Sequence, residues 1–194
     1  MKYNLLGKTG LWVSEICLGT MTFGAKGRFA AVGGVDQEGA DALVRQALDA
    51  GVNFIDTANV YSEGISEEMT GEALKNLGVH RDDIILATKV RGKMGEKPNQ
   101  KGLSRKHIIN QVEASLKRLG TDYIDLYQIH SNDPITPIDE TLRALDDLVR
   151  TGKVRYIGAS NVAAWQLMKA LDYSYYNHLE RFNSLQAYYT LAGR

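Results

Sequence analysis

The sequence has 194 residues, and its 23 Lys and Arg balance 23 Asp and Glu, so the formal net charge is zero. A hydrophobic content of 44% is ordinary for a globular protein and excludes a disordered chain, which combines few apolar residues with a high net charge. The balanced charge also argues against a nucleic-acid-binding protein, which usually has a basic excess. The length predicts a single domain over residues 1–194.

Targeting and redox signals point to the cytoplasm. No apolar run approaches the ~20 residues that a membrane span needs, and residues 1–4 lack the apolar core of a signal peptide. The single cysteine, Cys17, cannot form an internal disulfide, and its apolar neighbours predict a buried thiol in a reducing compartment. The four histidines have no metal-ligand spacing, so we expect no metal site.

The first fifteen residues predict a β-hairpin, because two extended runs flank the turn-rich segment 7–10. One unit then recurs along the chain: a short apolar run, a loop, an amphipathic helix and a glycine. The predicted strands are 16–19, 53–56, 84–89, 123–130, 154–160 and 183–187, and the predicted helices are 37–50 and 66–77, followed by helices that begin at 104 and 136.

Helix-capping residues mark several of these boundaries. Gly51 is placed to end the first helix, and Ser104 is a good N-cap for the third. In the fourth helix, Thr136 is predicted to be the cap and Pro137 the first helical residue. Asn161 is predicted to cap the helix after the fifth strand.

Strands that alternate with helices predict a parallel sheet, either doubly wound or closed as a (β/α)₈ barrel. A dinucleotide-binding doubly wound sheet would carry Gly-x-Gly-x-x-Gly after its first strand, and the segment 19–24 lacks that spacing. The barrel is favoured because consecutive strands end in polar side chains, which a barrel collects on one catalytic face. These residues are Asp56, Lys89, His130, Ser160 with Asn161, and Gln186 within the sixth strand.

The sequence resembles the aldo-keto reductases, (β/α)₈-barrel enzymes that use nicotinamide cofactors. The similarity covers essentially the whole chain, and its specificity comes from the order and spacing of the motifs. They are LGTMTFG at 18–24, GVNFIDTA at 51–58 with Tyr61, ATK at 87–89, DLYQIH at 125–130, GKVRYIG at 152–158, Ser160-Asn161 and Gln186. The segment 19–21 and the Ser-Asn pair resemble the bacterial and potassium-channel-β-like branch.

The resemblance implies a catalytic tetrad. By position, it corresponds to Asp56, Tyr61, Lys89 and His130. Ser160, Asn161 and Gln186 would hold the carboxamide of the cofactor, NADP(H), and the backbone at Gly19-Thr20-Met21 would line the cofactor cleft beside Asp56. The implied activity is NADPH-dependent reduction of a small carbonyl substrate.

These residue types suit carbonyl reduction. The reaction needs a hydride at carbon and a proton at oxygen, and the cofactor supplies the hydride. A phenol is a weak acid at neutral pH, and a neighbouring ammonium makes it a better proton donor. We therefore expect Tyr61 to be the proton donor, Lys89 to assist it, Asp56 to anchor Lys89, and His130 to orient the carbonyl oxygen.

The number of units departs from the family. A (β/α)₈ barrel typically needs ~250 residues, whereas this chain has about six units. The sequence therefore predicts an incomplete barrel without the last two strand-helix units. Its open edge is expected to be covered by the rest of a longer protein, a second copy or a complementing chain. The alternative function is a catalytically inactive or regulatory protein that keeps the fold.

Two further features fit either an ordinary structural role or a ligand-binding role. Residues 89–107 contain seven Lys or Arg against one acid, Glu96. We interpret the stretch as a solvated loop and helix start, with attraction of an anionic substrate or cofactor phosphate as the alternative. The tyrosines 173, 175, 176, 188 and 189 are expected to pack the last helix and strand.

Overall fold

The computed structural model describes residues 1–193. The strands are β1 (Tyr3–Leu5), β2 (Trp12–Ser14), β3 (Cys17–Gly19), β4 (Phe54–Asp56), β5 (Ile85–Val90), β6 (Ile124–Ile129), β7 (Val154–Ser160) and β8 (Ser184–Gln186). The α-helices are α1 (Gln37–Asp49), α2 (Ile65–Asn76), α3 (Arg105–Leu119), α4 (Ile138–Arg150) and α5 (Ala164–Tyr176). Short 3₁₀ turns lie at Gly27–Phe29, Tyr61–Gly64 and Arg81–Asp83.

The strands form two sheets. β1 and β2 pair antiparallel as the predicted hairpin. β3 to β8 form a six-stranded parallel sheet whose spatial order follows the chain, with β3 and β8 as its outer strands. Each connection brings the next strand back to lie beside the previous one. The sheet therefore curls into an incomplete (β/α)₈ barrel. The predicted fold class is confirmed.

The centre of the sheet carries the core. Every residue of β5 and β6 is buried, because helices cover one face of these strands and the barrel interior lies on the other. Ile129 and Ile157 on the strands pack in one cluster with Leu142 and Leu145 of α4. This rigid centre fixes the carboxyl ends of the strands relative to one another.

The helices end at the predicted glycines, but two of the helix starts differ from the prediction. Gly51 and Gly120 end α1 and α3 in left-handed conformations, with φ of 85° and 65°. Pro137 is not the first helical residue: its ψ of 138° makes it the N-cap of α4, while the Thr136 hydroxyl donates to Asp133 at 2.7 Å. The predicted cap for α5 is also wrong, because Ala163 takes that position.

Two predicted packing roles are wrong as well. Cys17 is exposed rather than buried, because β3 is an outer strand of the sheet. Tyr175 and Tyr176 at the end of α5 are 66% and 78% exposed, and Tyr188 is 77% exposed, so these rings do not pack the last helix and strand. Tyr173 does pack against the core, as expected. No helix within residues 1–193 combines the length and apolarity that crossing a membrane requires.

Candidate active site

The predicted site residues lie at the carboxyl ends of adjacent parallel strands. Asp56 ends β4, Lys89 is the penultimate residue of β5, and His130 directly follows β6. In the register of the sheet, Asp56 stands beside Ala87, and Lys89 stands beside Gln128. Parallel strands hydrogen-bonded in this order bring their carboxyl ends to one rim, so side chains far apart in sequence meet there.

A buried ion pair forms the centre of the site. The Lys89 ammonium lies 2.5 Å from Asp56 Oδ2 and also donates to the carbonyl oxygen of Thr57 at 2.9 Å. The Lys89 residue is 1% exposed and Asp56 is 7% exposed. Burying two charges is costly unless they are paired and hydrogen-bonded. Lys89 and Asp56 meet both conditions.

Asp56 receives further hydrogen bonds from two amides. Gln128 Nε2 donates to Oδ1 at 3.0 Å, and Gln186 Nε2 donates to Oδ2 at 3.2 Å. Gln128 was not identified from the sequence. Its signal was a long polar side chain inside a strand of mostly apolar residues, and the structure buries it to 2% exposure.

Tyr61 is held above this pair by the 3₁₀ turn that follows β4. Its hydroxyl lies 3.4 Å from Lys89 Nζ, and its ring packs edge-on against Phe29 at a centroid distance of 5.3 Å. The next residues, Ser62 and Glu63, have φ of 48° and 58°. Left-handed conformations cost non-glycine residues roughly 1 kcal/mol each, so this tight turn is maintained by the packing around it.

His130 completes the group. Its ring meets the Tyr61 ring edge-on, with centroids 5.6 Å apart and an interplanar angle of 82°. Partial burial, reinforced by the positive charges of Lys89, Arg28 and Arg91, lowers the pKa of His130 to about 4. The imidazole is therefore neutral near pH 7, when it carries one N–H donor.

The predicted carboxamide-binding residues gather at the ends of β7 and β8. The Asn161 side chain donates to Ser160 Oγ at 3.0 Å and to the His130 carbonyl oxygen at 3.1 Å. The Asn161 backbone N–H donates to the Gln186 carbonyl oxygen at 3.2 Å. The φ of Asn161 is 50°, which explains why this residue turns back over the strands instead of capping α5.

The predicted cleft backbone lies across the sheet at the end of β3. Thr20 is fully buried, and its hydroxyl lies 2.9 Å from that of Ser66. Gly19 and Met21 on either side are exposed, and a Cβ at Gly19 would meet nothing within 4 Å. An open backbone edge here, with hydroxyl and amide groups at Ser160, Asn161 and Gln186, provides donors and acceptors that fit a nicotinamide carboxamide.

A second buried ion pair contacts the strand that carries Lys89. Glu67 of α2 is fully buried, pairs with Arg118 of α3 at 2.6 Å, and accepts a hydrogen bond from Thr88 at 2.5 Å. Because Thr88 precedes Lys89, this contact ties the carboxyl end of β5 to both helices. Glu67 was not identified from the sequence, since acids in a first helical turn are common on helix surfaces.

Within residues 1–193, no three His, Cys, Asp or Glu side chains are grouped as metal ligands.

Residues 15–192 match the model of the Aldo/keto reductase family. The chain belongs to the aldo/keto reductase family. The match covers the whole parallel sheet, and the resemblance stated from the sequence motifs is confirmed.

Individual aldo/keto reductase relatives span several organisms. Versiconal hemiacetal acetate reductase of Aspergillus parasiticus is 39% identical over 100% of this chain and 61% of its own length. The uncharacterized oxidoreductase YrpG of Bacillus subtilis is 44% identical over 88% of this chain and 52% of its own length. A protein of Oryza sativa named as a probable voltage-gated potassium channel subunit beta is 42% identical over 88% of this chain and 49% of its own length. The chain thus spans about half to three fifths of these relatives.

Proposed function

We propose that this protein reduces aldehydes and ketones to alcohols, with NADPH as hydride donor and Tyr61 as proton donor. The observation that carries the proposal is the contact between the Tyr61 hydroxyl and the buried Lys89–Asp56 pair, with His130 against the same ring. The names of two relatives, a reductase and an oxidoreductase, support the reaction class. The choice of NADPH over NADH rests on the family resemblance.

Ser160, Asn161 and Gln186 would hold the carboxamide of the nicotinamide ring, and the backbone at Gly19-Thr20-Met21 would line its cleft. When bound, the cofactor supplies a hydride to the carbonyl carbon. The exposed amide of Gln186 is well placed for this role, because it also contacts Asp56 and so connects the cofactor side of the rim to the ion pair.

The residues of this chain would manage the proton. In the proposed step, the Tyr61 O–H bond breaks and its proton passes to the substrate oxygen as that oxygen becomes an alcohol. The adjacent Lys89 ammonium stabilises the phenolate that remains, and Asp56 keeps the ammonium in position. Burial strengthens each of these interactions, because water screens them less.

His130 would orient the substrate. A neutral imidazole can donate one hydrogen bond to the carbonyl oxygen without competing for the proton. The edge-on contact between the His130 and Tyr61 rings supports a shared role for the two groups. Two donors directed at one oxygen favour the charge that develops there during hydride transfer.

The test is NADPH oxidation, followed by absorbance, with 4-nitrobenzaldehyde and purified protein of verified intact mass. We expect turnover in the wild-type protein. Tyr61→Phe should lower kcat by about 10²- to 10⁴-fold, the usual contribution of general acid catalysis, while NADPH binding, measured by fluorescence, persists.

Tyr123→Phe is the matched control. Its hydroxyl donates to Asp82, near the opposite end of the sheet, so its loss should leave kcat within about twofold, as expected for a site remote from the chemistry. Wild-type protein that binds NADPH but turns over no aldehyde, or Tyr61→Phe with wild-type kcat, would contradict the proposal.

A further inference from the structure

A pocket of about 720 Å³ is lined by His130 and by Asn161, one of the proposed carboxamide-binding residues. The rest of its lining comes from the loops that follow β3, β5 and β6. Four cationic side chains line it: Arg28, Arg91, Lys93 and Lys101. The basic stretch, interpreted from the sequence as a solvated loop, therefore contributes three charges that converge on one concave surface next to the reaction centre.

The negative charge in this pocket interacts with Arg91 at longer range but forms no ion pair with any of the four cations. Asp133 is its one acidic lining residue among those described. Its oxygens accept hydrogen bonds from the backbone N–H groups of Leu103 and Ile135 and from the Thr136 hydroxyl. Asp133 is thus occupied in holding the loops together, and the described residues place no carboxylate within 4 Å of any of the four cations except Glu96, which pairs with Lys93.

Arg91 is the most constrained of the four cations. It is half-buried two residues after Lys89, and its Nε is buried without a hydrogen-bond partner within the described chain. Its φ of 143° lies in a region that favours glycine. A strained arginine with an unused buried donor is costly to maintain, and a ligand that accepts from the guanidinium would offset that cost.

The pocket has a further source of positive potential. Ser104, the N-cap of α3, belongs to its lining. The N-terminal end of a 15-residue helix carries partial positive charge. This contribution is secondary, and it has the same sign as the side chains.

We propose that this pocket binds an anionic group, a carboxylate or a phosphate, carried by the carbonyl substrate, and that Arg91 determines this specificity. The inference rests on the proposed reductase function, because it assumes that the carbonyl lies at Tyr61 and His130. A planar guanidinium binds a carboxylate through two parallel hydrogen bonds. The anionic end of the substrate would then be fixed while the carbonyl is held at the other end.

The first experiment compares two para-substituted benzaldehydes, the anion 4-formylbenzoate and the neutral 4-nitrobenzaldehyde. We expect Arg91→Met to lower the ratio of their kcat/KM values by about 10- to 100-fold, the range for a lost charged hydrogen bond, mainly through KM for the anion. Arg91→Lys should restore part of the ratio. Lys117→Met, which removes a cation at the far end of α3, should leave the ratio unchanged.

The second experiment measures binding without turnover. Terephthalate is an unreactive dianion, and terephthalamide is its neutral counterpart. Calorimetry should detect terephthalate binding that weakens with added salt in the wild-type protein and is lost in Arg91→Met and reduced in Arg28→Met. Terephthalamide binding should not depend on salt. Because the salt test uses only the wild-type protein, it holds even if a variant fails to fold.

The outcomes separate the two proposals. Terephthalate binding that depends on Arg91, without turnover of either aldehyde, would sustain the anion site and contradict the reductase function. Turnover with a substrate ratio that Arg91→Met does not change, or no terephthalate binding by the wild-type protein, would overturn the anion site. Weakened NADPH binding in Arg91→Met with an unchanged ratio would assign the cations to the cofactor phosphates and also overturn it.

Discussion

Asp56 is the residue on which the contacts of the site converge. Lys89, Gln128 and Gln186, from three different strands, all direct donors at its two oxygens. The carboxylate therefore remains hydrogen-bonded if one donor is removed. The Lys89 ammonium has no comparable reserve, because its other contacts are a carbonyl and a phenol.

This asymmetry predicts unequal losses of stability. Asp56→Asn leaves a buried ammonium without its counter-charge and should lower the free energy of unfolding by about 3–5 kcal/mol. Lys89→Met replaces the cation with an apolar chain and leaves Asp56 with two amide donors, so its cost should be smaller. Urea unfolding measures the free energy of unfolding of both variants. Equal losses, or a larger loss in Lys89→Met, would show that other groups compensate the ammonium in Asp56→Asn.

The depressed pKa of His130 predicts acid sensitivity. The unfolded state binds a proton near the ordinary pKa of 6.5, whereas the folded state resists it down to about 4. As the pH falls through this window, the unfolded state is favoured, and the free energy of unfolding should decrease by no more than about 3 kcal/mol from this group.

His130→Gln should flatten the decrease in unfolding free energy between pH 6.5 and pH 4. Part of the slope should persist, because burial also lowers the pKa of His107. Urea unfolding at several pH values measures the difference. Identical slopes in the two proteins would show that the imidazole titrates normally in the folded state.

At the scale of elements, α2 and α3 pack unusually closely at Gly71. A Cβ at this position would lie 2.6 Å from the Leu119 carbonyl oxygen and 2.9 Å from that of Arg118. Both contacts are with backbone, which cannot move as a flexible side chain does. The glycine is therefore required by the approach of the two helices.

Gly71→Ala should accordingly destabilise the protein by about 1–3 kcal/mol, the usual cost of overpacking, although alanine has the better helix propensity. Gly39→Ala in α1 is the matched control, since its new Cβ would meet only side-chain atoms at 3.1 and 3.2 Å. Thermal unfolding compares them, and a stabilised Gly71→Ala protein would contradict the packing argument.

The elements were predictable from sequence to the extent that local signals defined them. The β-hairpin, the six parallel strands and the glycine helix ends follow from alternation and turn residues. Pro137 and Asn161 were placed wrongly because tertiary contacts decided their conformations: Asn161 turns back to the His130 carbonyl oxygen rather than to its own helix.

The site was predictable in a different way. Strand-end positions brought Asp56, Lys89 and His130 together in the prediction, and the resemblance supplied Tyr61. Gln128 and Glu67 depend on packing between elements, which no local pattern encodes. The convergence of Arg28 with residues 91–101 depends on two loops that meet only in the folded barrel.

At the scale of the whole molecule, the outer strands are the exposed feature. β3 and β8 each have one neighbour in the described sheet, and Leu185 in β8 is 41% exposed. Unpaired strand edges readily pair with another chain. A polypeptide of these 194 residues alone is therefore expected to self-associate.

Leu185→Lys should shift this association toward monomer, because a charged side chain on an outer strand opposes edge pairing. Val32→Lys, which replaces a 51% exposed valine in a loop, is the control and should not change the assembly. Light scattering after size-exclusion chromatography measures both. A wild-type monomer at high concentration would contradict the expectation.

The hydrogen bond from Gln186 to Asp56 joins residues 130 positions apart, whereas each strand of the sheet pairs with its successor in the chain. Neighbouring units can therefore assemble in the order in which they leave the ribosome, and the Asp56–Lys89 pair can form early. The Gln186 contact must wait for the last strand, since long loops close slowly. During refolding, the proposed reductase activity should consequently appear later than helical structure, because it needs β8 in place.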